Sequence, residues 1–102
     1  DPAETTSALR AAWDIIADQP PVEIVLRFVP AVAGRVLEAT WHPTQAVATG
    51  ADGSLRWRAT VSGTIEIRLW ILSWGDDVEV ISPISLRNDV ADTHRRAAAR
   101  YG

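Results

Sequence analysis

The chain has 102 residues, enough for one compact domain and no second core. Its 47% apolar content is that of a folded domain, and the absence of cysteine excludes a disulfide framework, a zinc knuckle and a thiol nucleophile. A formal charge of −3, with 10 basic residues, all arginine, against 13 acidic ones, argues against holding duplex DNA by phosphate neutralisation.

No run of about 18 apolar residues and no signal-peptide pattern opens the chain, so a cytoplasmic, membrane-free protein is expected. A start at Asp1-Pro2 without methionine is expected of a piece of something longer. Residues 6–18 read as a helix, with Leu9, Trp13, Ile16 and Ala17 at helical spacing and Thr6 or Ser7 as N-cap. Pro20-Pro21 ends it. In the strand expected over 22–29, Val22, Ile24, Leu26 and Phe28 share one face, and Glu23, Val25, Arg27 and Val29 the other. Pro30 suits the first turn of a helix reaching about residue 40, with Val32, Val36 and Ala39 on one stripe. After the connector Trp41-His42-Pro43 come a short strand over 44–49 and a hairpin turn at Gly50-Ala51-Asp52-Gly53.

Leu55, Trp57, Ala59 and Val61 then alternate with Arg56, Arg58, Thr60 and Ser62, the period of a half-buried strand. Ser62-Gly63 breaks it. Residues 64–74 read as a helix, with Gly75 placed for a left-handed helix end. Val78 and Val80 mark a strand stopped by Pro83, and residues 85–101 a last helix with Leu86, Val90, Ala97 and Tyr101 on one side. The succession β-α-β-β-α-β predicts an α+β, ferredoxin-like two-layer sandwich with flanking N- and C-terminal helices. Its first and third strands are expected side by side and parallel in mid-sheet, with both helices on one face. Residues 1–21 read as linker and N-terminal helix, and 22–102 as the domain.

Strand parity gathers Arg27, Arg56 and Arg58 on the uncovered sheet face, with Glu23 and Glu79 as candidate counter-charges. Guanidinium forks grip phosphate or carboxylate, so these three are the candidate site for an anionic or nucleic-acid effector, weighed against an ordinary solvated face. Trp57 has the parity of the core, which counts against base stacking on the open face. On the helix over 64–74, Ile65, Leu69 and Leu72 form one apolar stripe, and Ile67, Trp70, Ile71 and Trp74 another. The second stripe reads as surplus, and is the candidate interface with another copy or a neighbouring domain, weighed against cover by the N- or C-terminal helix of the same chain. His42 and His94 form no ligand pattern, so no metal and no cofactor are expected. The loop Val29-Pro30-Ala31-Val32-Ala33-Gly34-Arg35 lacks the glycine pair of a phosphate cradle, and no catalytic triad or carboxylate pair stands out, so no enzyme is expected.

Several of these motifs resemble the C-terminal extension domain (WCX) of WYL-type bacterial transcriptional regulators. The resemblance rests on Asp52-Gly53, the arginine-bearing strand, the Trp70-Ile71-Leu72-Ser73-Trp74-Gly75 helix end and Val78-Glu79-Val80-Ile81-Ser82-Pro83 with the following Leu86-Arg87. It extends to Leu26-Arg27-Phe28, Trp41-His42-Pro43-Thr44-Gln45 and Tyr101. It implies a non-catalytic regulatory and dimerisation module beside helix-turn-helix and WYL domains, in a homodimer sensing an effector such as a nucleotide or single-stranded nucleic acid. The alternative is a free-standing anion- or nucleotide-binding ferredoxin-like domain. An upstream helix-turn-helix separates the two.

Overall fold

The computed structural model describes residues 20–102. The helix expected over 6–18, and nearly all of the segment read as a linker over 1–21, lie outside the described residues. Strand β1 (Pro21–Phe28) leads into helix α1 (Pro30–Leu37), strand β2 (Ala46–Thr49), strand β3 (Leu55–Ser62) and helix α2 (Ile65–Ser73). A 3-10 turn (Gly75–Asp77), strand β4 (Val78–Ser82) and helix α3 (Ile84–Ala99) follow. Gly75 has φ +61°, the left-handed conformation that its place after α2 predicts.

The result is an α+β domain with one four-stranded sheet in the order β2-β3-β1-β4. Every neighbouring pair is antiparallel. The first and third strands are adjacent, as expected, but antiparallel where parallel pairing was expected. The cause is the number of reversals between them. α1 carries the chain back so that β2 runs parallel to β1, and the tight turn at 50–53 then reverses it into β3.

β3 sets the layering. Leu55, Trp57, Ala59 and Val61 are buried while Arg56, Arg58 and Thr60 are exposed, the alternation read from the sequence. Ile24, Leu26 and Phe28 of β1 join them, and Val32, Val36, Ile67, Ile71, Leu86 and Val90 of the helices close one core over that face. α1 stops at Leu37, short of residue 40, with Ala39 exposed. There the Trp41 indole N–H donates to the Val36 carbonyl at 2.8 Å, satisfying a helix-end acceptor. α3 contributes only Leu86 and Val90 to the core and runs on for about two and a half turns beyond it. Ala97 and Tyr101, expected on the buried side, are therefore exposed.

α2 overturns one expectation. Ile67 and Ile71 are buried, and Trp70 and Trp74 pack against the core, so the stripe read as surplus is the one that faces the sheet. Ile65 and Leu69 are the outward residues, 51% and 57% exposed. Ring area decides the rotation. Trp70 stands 5.9 Å from Phe28, 5.4 Å from Trp41, 5.1 Å from Trp57 and 6.1 Å from Trp74, centroid to centroid. Burying two indoles in such a cluster outweighs burying two branched aliphatics. Arg68 ties α2 to α3, donating from Nε to Asp89 Oδ2 at 2.5 Å and from Nη2 to Thr93 Oγ1 at 2.7 Å. Among the described residues, no helix is long and apolar enough to cross a membrane.

The two faces of α2 give a paired prediction. Ile71→Ala lowers stability by about 2–5 kcal/mol, because it empties a closed core position, whereas Leu69→Ala stays within ~1 kcal/mol. Urea unfolding followed by tryptophan fluorescence measures both, and equal losses would refute the orientation.

Candidate functional site

The face of the sheet away from the helices is built from all four strands. Cross-strand register lays it out in rows. Ala48, Arg56, Arg27 and Glu79 form one row, and Ala46, Arg58 and Val25 the next. Arg27, Arg56 and Arg58 therefore do share a face, with Arg27 directly opposite Arg56. Like charges directly opposite one another are unfavourable, so the counter-charge matters.

That counter-charge is not the one expected. Glu79 bonds Arg87 Nη1 at 2.7 Å, and Glu23 takes part in no ion pair among the described residues. Asp52, from the β2–β3 turn, holds Arg27 instead: Arg27 Nη2 donates to Asp52 Oδ2 at 2.9 Å. The other carboxylate oxygen accepts from the Ser54 hydroxyl at 2.6 Å and the Ser54 N–H at 3.0 Å. The Ser54 hydroxyl and backbone bonds, then Arg27, lower the Asp52 carboxyl from its ordinary value to about 2. Sequence reading missed this residue as a site component, although its place in an aspartate-glycine turn beside the arginine strand was the available signal.

Arg27 is thus engaged, while Arg56 and Arg58 are exposed and make no ion pair among the described residues. Two shallow clefts border them. One, of about 190 Å³, is lined by Arg27, Ala48, Thr49, Gly50, Ser54 and Arg56. The other, of about 60 Å³, is lined by Ala46, Val47, Ala48, Arg56 and Arg58. Trp57 lies wholly in the core, so it offers no ring to this face. The arrangement presents two guanidinium forks at alternate positions of a central strand, a geometry suited to paired anionic oxygens.

The connector Trp41-His42-Pro43-Thr44-Gln45 positions β2 beside these arginines. Gln45 Oε1 accepts from Trp41 N–H at 2.7 Å, His42 N–H at 3.3 Å and Trp57 Nε1 at 3.2 Å. Thr44 Oγ1 accepts from Thr60 N–H at 2.9 Å, so a hydroxyl stands where the next ladder bond would be. This is why β2 begins at Ala46 and not at residue 44. His42 is buried, and its Nδ1 accepts from the Thr44 N–H at 3.1 Å, an anchoring role in the connector. Among the described residues, no three His, Cys, Asp or Glu side chains come together in a way that could hold a metal ion.

The family model described as the WCX domain matches residues 20–98. No curated protein matches the chain.

The depressed Asp52 carboxyl carries a signed pH prediction. Its contribution to the folded state is present above the ordinary carboxylate range near 4 and is lost as pH falls toward 2. Carboxyl-carbon NMR is expected to place the Asp52 midpoint near 2 in the wild type and higher in Ser54→Ala. An unchanged midpoint in that variant would remove Ser54 as the main cause.

Proposed function

The chain belongs to the WCX domain family, and from that premise we propose that residues 22–102 form the non-catalytic regulatory module of a WYL-type helix-turn-helix transcription regulator. In this reading the module meets an anionic effector, a nucleotide or single-stranded nucleic acid, on its open sheet face and contributes to homodimerisation. The observation that carries it is the pair Arg56 and Arg58, exposed at alternate positions of β3 without ion-pair partners among the described residues. Arg27 plays a supporting part, oriented by Asp52 at the rim of the same face. The β-α-β-β-α-β succession with strand order β2-β3-β1-β4 supports a ferredoxin-like description of the fold. A weakly acidic domain with a small cationic sheet face is suited to selecting a small anion and poorly suited to holding duplex DNA.

For self-association, Ile65 and Leu69 replace the buried stripe as the apolar surface of α2 that a second copy can reach. Sedimentation analysis of wild type and Leu69→Glu tests this. A concentration-dependent dimer lost in the variant is the expected result, and a wild type that stays monomeric at every concentration refutes it.

For the effector, calorimetry of the 102-residue chain with pyrophosphate and with a short oligo-dT compares wild type with Arg58→Glu. The variant is expected to bind at least about tenfold more weakly, since a hydrogen bond to a charged group contributes ~1.5 kcal/mol or more. Equal binding by the two proteins would reduce the arginine pair to a solvated surface.

A further inference from the structure

The two edges of the sheet are finished differently. Just before β4, the Asp77 carbonyl accepts from the Val29 N–H at 3.0 Å, which fixes the alternation of the β1–β4 ladder and leaves the Val80 N–H and C=O pointing off the sheet. Arg87 from α3 seals that edge, donating through Nη1 to the Val80 carbonyl at 2.9 Å and to Glu79 at 2.7 Å. A charged side chain over the backbone rim is a device that blocks further strand pairing.

Among the described residues, β2 has no such device. Its four residues, Ala46, Val47, Ala48 and Thr49, are all exposed, uncharged and free of proline. At its end the Gly50 N–H bonds the Ser54 carbonyl at 2.8 Å. Ladder alternation then turns the backbone groups of Ala46 and Ala48 toward β3, and those of Val47 and Thr49 away from it. Among the described residues, nothing bonds to these outward groups. An unprotected neutral edge is a template for another strand.

Side chains on either side of that edge specify the strand. On the open face, Ala46 and Ala48 rise no higher than a methyl, so β2 puts no large side chain between the edge and Arg56 or Arg58 on β3. The cleft of about 60 Å³ between these four residues and Val47 marks the path. Same-face positions recur about every 6.7 Å on any strand, so carboxylates two residues apart on an added strand match the spacing of Arg56 and Arg58. On the other face Val47, opposite Trp57 and 42% exposed, calls for an apolar residue between them. A second copy of β2 is a poor occupant, because its four residues carry no carboxylate to meet Arg56 and Arg58.

We propose that the β2 edge accepts an extended peptide strand of alternating acidic and apolar residues, held by backbone pairing to Val47 and Thr49 and by carboxylates on Arg56 and Arg58. This rests on the reading of that arginine pair as an anion site and names the anion as a peptide carboxylate ladder.

The test is calorimetry and amide NMR of the 102-residue chain with an end-blocked hexapeptide alternating valine and glutamate. Controls are a valine–lysine peptide and an isomer with its glutamates consecutive. Val47→Pro and, as a second variant, Thr49→Pro each remove an N–H that β3 does not use, which an edge strand tolerates. The expected result is binding of the alternating peptide alone, with amide shifts along β2. Binding should fall at least tenfold in either proline variant and in Arg56→Gln/Arg58→Gln. Peptide affinity unchanged in both proline variants, or equal affinity for the consecutive isomer, overturns the strand proposal and leaves the anion site standing. Pyrophosphate binding unchanged in Arg56→Gln/Arg58→Gln overturns the arginine reading, and the proposal with it. A wild-type dimer dispersed by Val47→Pro makes a second copy the occupant and overturns it too.

Discussion

One carboxamide oxygen holds the register on which the rest of the domain depends. Gln45 Oε1 takes three donors, two from the turning backbone at Trp41 and His42 and one from the indole of Trp57. The first two bonds close the connector after α1, and the third fixes the largest core side chain of β3. A slip of one residue in β3 would exchange its two faces, sending Trp57 to solvent and the arginines into the core. Buried polar groups are costly unless all are satisfied, so this oxygen both stabilises one register and penalises the others. The orientation of Arg56 and Arg58 is therefore settled on the opposite face of the sheet, by an interaction that neither residue makes.

Where the sequence carried a period of two, the faces were read correctly except at a strand end: Val29, expected on the open face, lies past β1 and packs against the core. β1 and β3 alternate without ambiguity, so the core residues of both strands and the shared face of Arg27, Arg56 and Arg58 were legible before any coordinates. α2 was different. Its two apolar stripes differ little in hydrophobicity, and periodicity alone does not tell which one turns inward. Only the rings waiting in the core, Phe28, Trp41 and Trp57, choose Trp70 and Trp74. The ends of elements were set by side chains that no pattern reveals: Trp41 stops α1 by bonding Val36, and Thr44 replaces a ladder bond to Thr60. The parallel pairing expected of the central strands failed on topology, since a crossover followed by a hairpin reverses direction once more than was allowed for.

The electrostatics of the open face follow from a similar division of labour. Arg27 opposes Arg56 across the ladder, a placement that alone would be repulsive. The Asp52 carboxylate, bonded by Ser54, holds Arg27 and leaves Arg56 and Arg58 without an ion pair among the described residues. Exposed ion pairs of this kind contribute little to stability, because solvent screens them and long side chains lose freedom. The Arg27–Asp52 pair is better understood as shaping the field of the face. It removes one positive charge from the cluster and confines the remainder to two residues on one strand.

That confinement bears on what the module is suited to recognise. Arg56 and Arg58 sit on a central strand between two hydrogen-bonded neighbours, with their alternate positions Leu55, Trp57 and Ala59 locked in the core. The spacing of their backbone attachment points is as rigid as any in the domain, and only the side chains adjust. Preorganised donors lose less entropy on binding than the same groups on a loop. In the proposed reading, a ligand with two anionic groups at matching separation is thus favoured over one with a single charge. With Trp57 facing inward, no ring on β3 is presented for base stacking. Selectivity on this face must come from spacing and shape, and the open β2 edge beside it supplies the shape.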